Sequence, residues 1–315
     1  MNIELLNIIT MKQLQKIVLI ISIISFLANN SFSQSDRDWW NGLSKGWKTV
    51  FQKQELKGKD IEPNDEQLER IVKITNLDCS FNTDITDLKP LTKLIFLEEI
   101  RCNDTKITSL EGIENLMNLT VLDCSNNDNI NSLIPLSGIT SLKELYCGNT
   151  MVKNLSPLKN LTNLRILDVH FSTINKLVVI SELKSLEILN VSQNLPLFQL
   201  DGVEGLVNLI EFNCSETKID DLTPLQELKY LKILDISNTS ITTLRPLQEV
   251  RTLEELDFSN TLITTSSLDY FYSHLSLTML RGREILTTTK EVDSFVKYYE
   301  KRNPNCTIII TPKSE

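Results

Sequence analysis

The chain has 315 residues, 41% of them hydrophobic, with 32 basic and 41 acidic side chains and a net charge of −9 at neutral pH. That balance disfavours nucleic acid and anionic membrane, both of which would repel it at long range, and favours basic partners. Two histidines and nine glycines leave little for acid-base catalysis, a histidine-rich metal centre or a glycine-rich phosphate loop.

Residues 1–10 contain Glu4 and no basic residue, and Met11 offers an alternative start. It opens Lys12, Lys16, a twelve-residue apolar run from Ile17 to Ala28 and the small residues Ser31 and Ser33. This pattern predicts a secretory signal peptide over 1–33, with Gln34 as the first mature residue and an exported product in the periplasm, at the cell surface or released. The run is short of the ~20 residues that span a bilayer, so no membrane span is expected after cleavage. No cysteine stands at the cleavage point to take a lipid. Removing 1–33 leaves 30 basic and 40 acidic residues, a net charge of −10.

Residues 34–70 read as a helical N-terminal cap. Leu43, Trp47, Val50 and Phe51 follow near-helical spacing from Trp40, and a short helix is expected after Pro63 with Leu68, Ile71 and Val72 on one face. Two amphipathic helices carrying Trp39, Trp40 and Trp47 suit the end of a stacked core. The alternative task for those indoles is a sugar-binding platform.

From 71 to 265 one frame returns about nine times. Its anchor position is held by Leu77, Ile100, Leu122, Leu145, Leu167, Leu189, Phe212, Leu234 and Leu256, at intervals of 22 or 23 residues. A period this tight marks a solenoid, whose units bury their apolar faces only by stacking. Each copy predicts one short strand: Leu145 and Cys147 point inward, with Glu144, Tyr146 and Gly148 between and beside them. A Thr, Ser or Asn follows the strand, where its side chain can satisfy backbone groups. Asn82, Asn127 and Asn194 take that place in the three 23-residue copies, where the extra residue reads as a local bulge. On the return half, Pro90, Pro135, Pro157, Pro224 and Pro246 predict short 3₁₀ or α turns, since proline loses no hydrogen bond at the start of a helix.

This frame resembles the leucine-rich repeat family, and segments such as Asp221-Leu222-Thr223-Pro224-Leu225 and Asn160-Leu161-Thr162-Asn163-Leu164 are similar to its 22-residue, internalin-like bacterial class. The resemblance implies an α/β fold: a right-handed horseshoe solenoid with parallel strands on the concave face, short turns on the convex face, and capped ends. It also implies a non-catalytic module that holds a protein or peptide. One departure is the third apolar position, which carries Cys79, Cys102, Cys124, Cys147 and Cys214 where the family has leucine.

Residues 266–315 read as a degenerate repeat around Leu277 and Leu280, then a C-terminal cap. Thr288 and Glu291 form a capping-box pair; Val292, Phe295, Val296 and Tyr299 line one helical face; Lys301 and Arg302 sit where the helix end favours cations. A closing strand is expected at Cys306–Ile310.

The first four cysteines of the column come at intervals of 23, 22 and 23, so they stack as free thiols and cannot surround one metal ion. No cofactor or metal is expected, and a monomer is. The candidate partner site is the outward side of the strands, where Arg101, Asp123, Tyr146, Asp168, His170 and Asp235 run beside Glu99, Glu144 and Glu211. The three aspartates are expected to be exposed. Arg101, Tyr146 and His170 break the regularity and are the first candidates for anchors, with Phe81 and Phe171 near them. Asp168 with His170 is also the one acid-base couple in the frame, though no nucleophile accompanies it. Two functions follow: an exported protein-binding scaffold, or a carbohydrate-binding or carbohydrate-degrading surface protein.

Overall fold

The computed structural model describes residues 34–313. The signal segment assigned to residues 1–33 lies outside them. The chain divides into two compact units between Ile74 and Thr75.

The first unit holds three helices: α1 (34–42), α2 (Lys45–Glu55) and α3 (Asp65–Val72). The helical spacing that begins at Trp40 is split in two because Ser44 turns extended and caps α2, its hydroxyl accepting from the Trp47 amide. Asn64 and Gln67 close a capping box at α3. Trp40 and Trp47 are buried around Phe51, with ring centres 6.5 and 5.7 Å from it, so these two indoles are core and not an open platform.

In the second unit the described residues form one eleven-stranded parallel sheet in chain order. Strands β1 (Asn76–Asp78) to β9 (Glu255–Asp257) are three residues each, and β10 (Met279–Ile285) and β11 (Thr307–Pro312) close the series. Neighbouring strands pair without stagger: Leu77 opposes Ile100, Ile100 opposes Leu122, and so on to Leu256 against Leu280. Every anchor residue named above is buried.

The polar residue after each strand does what its chemistry suggests. Thr105, Thr150, Thr217, Thr239 and Thr261 each donate a hydroxyl to the carbonyl three residues earlier, at 2.6 to 2.9 Å. Asn127 goes further, donating to the carbonyls of Cys102 and Cys124 while accepting from Thr105, and Asn194 repeats this with Val169 and Val191. Buried carbonyls of two successive copies are thus satisfied by one amide. The extra residue of the 23-residue copies enters as a turn closed from Ile85, Ile130 and Leu197 back to Asn82, Asn127 and Asn194.

The return segments are 3₁₀ turns such as Ser156–Leu158 and Thr223–Leu225, with the proline as the second residue in five of them. In two of the copies that lack proline, Gly112 and Gly202 take φ of 107° and 102°, and a side chain there would strike the backbone of the preceding copy. The C-terminal helix α4 (Thr289–Arg302) carries the capping box of Thr288 with Glu291. Phe295 stacks between Tyr272 and Tyr299, and the Tyr299 hydroxyl donates to the His274 carbonyl. Among the described residues no helix is long and apolar enough to cross a membrane.

Cys79, Cys102, Cys124 and Cys147 form an inward column on four adjacent strands, and all six cysteines are free and buried. Burial pushes the Cys79 thiol up to about 12 and drives Cys102, Cys124 and Cys147 well up as well, which removes the reactive thiolate. Alkylation of the denatured chain without reductant is therefore expected to modify all six, and the native chain almost none; intact mass decides, and two fewer modifications per disulfide would contradict it. Leu145→Ala is expected to cost ~2–5 kcal/mol of unfolding free energy in urea, because it opens a cavity beneath fixed neighbours.

Candidate functional site

Three columns of side chains leave the outward side of the strands. The central column runs Arg101, Asp123, Tyr146, Asp168, Asn190, Asn213 and Asp235 from β2 to β8, each residue opposing the next in register. Beside it lie Glu99, Val121, Glu144, Ile166, Ile188, Glu211 and Ile233, and after it Ser125, Gly148, His170, Ser192 and Ser215. All nine sequence candidates occupy this face. They do not converge on one point: β2 and β8 are six strand spacings apart, ~29 Å. Glu99, Arg101, Asp123, Glu144, Tyr146, Asp168 and His170 group on β2 to β5, while Glu211 and Asp235 stand on β7 and β8 beyond the amides of Asn190 and Asn213.

The aspartates are half-buried instead of exposed. The reason is a bond that the frame repeats: Asp123, Asp168, Asp235 and Asp257 each accept through Oδ1 from the amide two residues on, at 2.9 to 3.1 Å. Asn190 and Asn213 do the same for Ser192 and Ser215. One oxygen of each of these aspartates thus closes the strand end, and the second is left for other partners. Burial raises the Asp235 carboxyl above the ordinary 3.8, and Asp257 beside it adds to this against the lowering by Ser237.

Arg101 and Tyr146 cannot make that bond, and the residues two ahead of them change accordingly. Arg101 turns to Glu99, at 2.6 Å. Tyr146 donates its hydroxyl to Glu144 Oε2 at 3.1 Å, and burial together with that carboxylate pushes the phenol up to about 12. Two residues after it stands Gly148, and any side chain there would collide with the His170 ring. His170 in turn meets Asp168 Oδ1 through Nδ1 at 2.7 Å, and Asn190 donates to Asp168 Oδ2 at 3.2 Å. Burial opposes ionisation of Asp168, and the His170 ring and amide outweigh it, holding the carboxyl below its ordinary value. The same hydrogen bond raises His170 above 6.5. Across β4 to β7, Tyr146, Ile166, Asp168, Ile188, Asn190 and Glu211 line a hollow of about 200 Å³.

One recurring feature has only a faint trace in the sequence. The residue that follows the outward columns is left-handed in each copy, with φ between 46° and 59° from Phe81 to Asn260. Asp104, Asn126, Asn149, Asn238 and Asn260 are the types that tolerate it, and their recurrence is the trace. Asp104, Asn126 and Asn149 also bond to one another along the edge at 3.0 and 3.1 Å. Phe81 and Phe171 hold the same strained backbone with side chains 73% and 57% exposed.

A family profile for leucine-rich repeats, in two copies, matches residues 117–160 and 140–178. No protein of curated function matches the chain in sequence. Among solved structures, internalin C2 of Listeria monocytogenes aligns at a TM-score of 0.60 and 22% identity, over 68% of this chain and 93% of its own. The functional domain of InlJ from the same organism, which includes a cysteine ladder, aligns at 0.67 and 21% identity over 88% of this chain and 61% of its own. The Arabidopsis receptor kinase HAESA, solved with a peptide hormone and a co-receptor, aligns at 0.60 and 15% identity over 72% and 41%. The second unit has the fold of a leucine-rich repeat solenoid, similar to those internalin structures, with its strands on the concave face and 3₁₀ turns on the convex one.

The two histidines are expected to titrate on opposite sides of 6.5. His274 is fully buried, bonded to the Leu247 carbonyl and stacked on Phe271, and burial lowers it, so its contribution to stability is lost as pH falls below 6.5. His170 is raised, so its ion pair is at full strength below 6.5 and is lost as pH rises through its own midpoint. Ring-proton NMR of the two resonances reads both, and Asp168→Asn should lower the His170 midpoint alone.

Proposed function

We propose that the chain is an exported, non-catalytic scaffold whose concave strand face holds a protein or peptide partner, with basic partners favoured. The observation that carries this reading is the break at β4 and β5. There Tyr146 and Gly148 replace the repeated pattern of an acid or amide bonding the residue two ahead, His170 stands in the next copy where a serine recurs, and an exposed phenylalanine is kept at a left-handed position. Residues that depart from a frame while weakening it are placed by something other than the frame. Aromatic side chains at the centre of a face with unsatisfied acceptors suit an interface. A leucine-rich repeat neighbour solved with a bound peptide hormone supports the class of partner. Export rests on the residues from Lys12 to Ser33.

Capture of a partner from native cell-surface extract tests this reading. Asp123→Asn with Asp168→Asn preserves the acceptor that each strand end needs, as Asn190 and Asn213 show, and removes two charges. The pair is expected to weaken the captured partner's affinity about tenfold at low salt and to flatten its salt dependence, with unchanged circular dichroism. Equal affinity and equal salt slope would move the partner off this face, and binding only on a glycan array would replace the scaffold with a carbohydrate-binding protein.

A further inference from the structure

The hollow across β4 to β7 has a chemistry distinct from the rest of the face. Its floor is apolar: Ile166 and Ile188 are register partners on β5 and β6, and both are half-buried. Its rim is made of oxygens. Glu211 stands on one side and Asp168 borders the floor. The Tyr146 hydroxyl donates its hydrogen bond to Glu144, which leaves its lone pairs as acceptors. Asn190 and Asn213 present amides whose oxygens already take a serine proton each.

One cation of the face reaches this rim, His170 at Asp168. Arg101 is held by Glu99 three strands before β5, and Arg281 by Asp257 two strands beyond β8. His170 bonds the oxygen of Asp168 that already closes the strand, Asn190 donates to the other at 3.2 Å, and among the described residues no ion pair reaches Glu211. An apolar occupant would cover the isoleucines and desolvate both carboxylates, Glu211 with no partner at all, which is costly. An acidic occupant would be repelled. A long aliphatic stem ending in a cation fits both halves, the stem along Ile166 and Ile188 and the head at Asp168 and Glu211.

Resting on the concave-face reading above, we propose that this hollow is the pocket for one arginine side chain of the partner. Guanidinium is preferred over ammonium because the acceptors lie on several sides of a flat floor beside an aromatic ring. A planar group with five donors meets such a rim at less cost in desolvation than a point charge does.

The full chain, labelled at isoleucine δ1 methyls, is titrated with N-acetyl-arginine-N-methylamide and with the neutral isosteres made from citrulline and norleucine. Saturable shifts are expected at Ile166 and Ile188, at least about tenfold tighter for arginine than for either neutral probe, as one charge-assisted contact requires. Glu211→Gln, on a solvent-facing position, should abolish the preference while leaving the remaining isoleucine methyls in place. Equal affinity for citrulline, or shifts centred elsewhere, overturns the assignment. The failure of each reading is separable: a captured partner that binds the strand face while the arginine probe leaves Ile166 and Ile188 unmoved removes the pocket and spares the scaffold. Arginine-selective shifts with no protein partner captured remove the scaffold and keep the pocket.

Discussion

Adjacent copies of the repeat are joined by backbone hydrogen bonds between equivalent strand residues, with no stagger from β1 to β10. This register forces like upon like. Every side chain has its counterpart ~4.8 Å away on both sides, so a property acceptable once must be acceptable as a column. Leucines gain from that arrangement, since a column of them is a continuous core. Thiols do nearly as well, as small hydrophobes. Carboxylates do not, and the way the chain treats them follows from the constraint. Asn190 and Asn213 interrupt the aspartates, Arg281 pairs with Asp257, and each carboxylate is tied to the amide two residues on.

The same bond gives the acidic face two roles at once. An oxygen committed to the strand end fixes the orientation of the carboxylate, and the remaining oxygen then points in a defined direction without further cost in side-chain entropy. A partner seated on this face, as proposed, would meet a row of pre-oriented acceptors. Arg101 and Tyr146 depart from this arrangement, and the accommodations they need are local. Arg101 borrows Glu99, Tyr146 bonds Glu144, and the glycine at 148 leaves room for the His170 ring. Interaction chemistry in a repeat protein is bought at single positions of this kind, while the strand ladder around them is untouched.

The fold was legible because a 22-residue period in leucine leaves few architectures open, and because proline, asparagine and threonine recur where turns need them. The site was legible as three columns and not as a place. Spacing says that Asp168 and Asp235 share a side; only the strand count separates them by three strands. Exposure of the aspartates was misread because the bond to the residue two ahead draws the carboxylate down toward its own backbone, a contact invisible in a pattern of letters. The left-handed residue at each strand exit left a partial trace in Asp104, Asn126 and Asn149, which Phe81, Phe171, Gln193 and Glu216 obscured. Splitting of the helix near Trp40 turned on one serine.

The thiol column has a consequence for how the protein comes to exist. In the native stack Cys79, Cys102, Cys124 and Cys147 are packed without access to solvent and without thiolate character. In the unfolded chain they are ordinary cysteines separated by 22 or 23 residues, a loop length that closes readily, and nothing there shields them from an oxidant. A disulfide formed at that stage would join neighbouring copies before their strands had paired, and the stack would have to break it to finish. If the chain is exported as proposed, folding and oxidation race. The ladder would then have to assemble faster than its thiols meet an oxidant, and the chain would depend on speed where small secreted domains depend on cross-links.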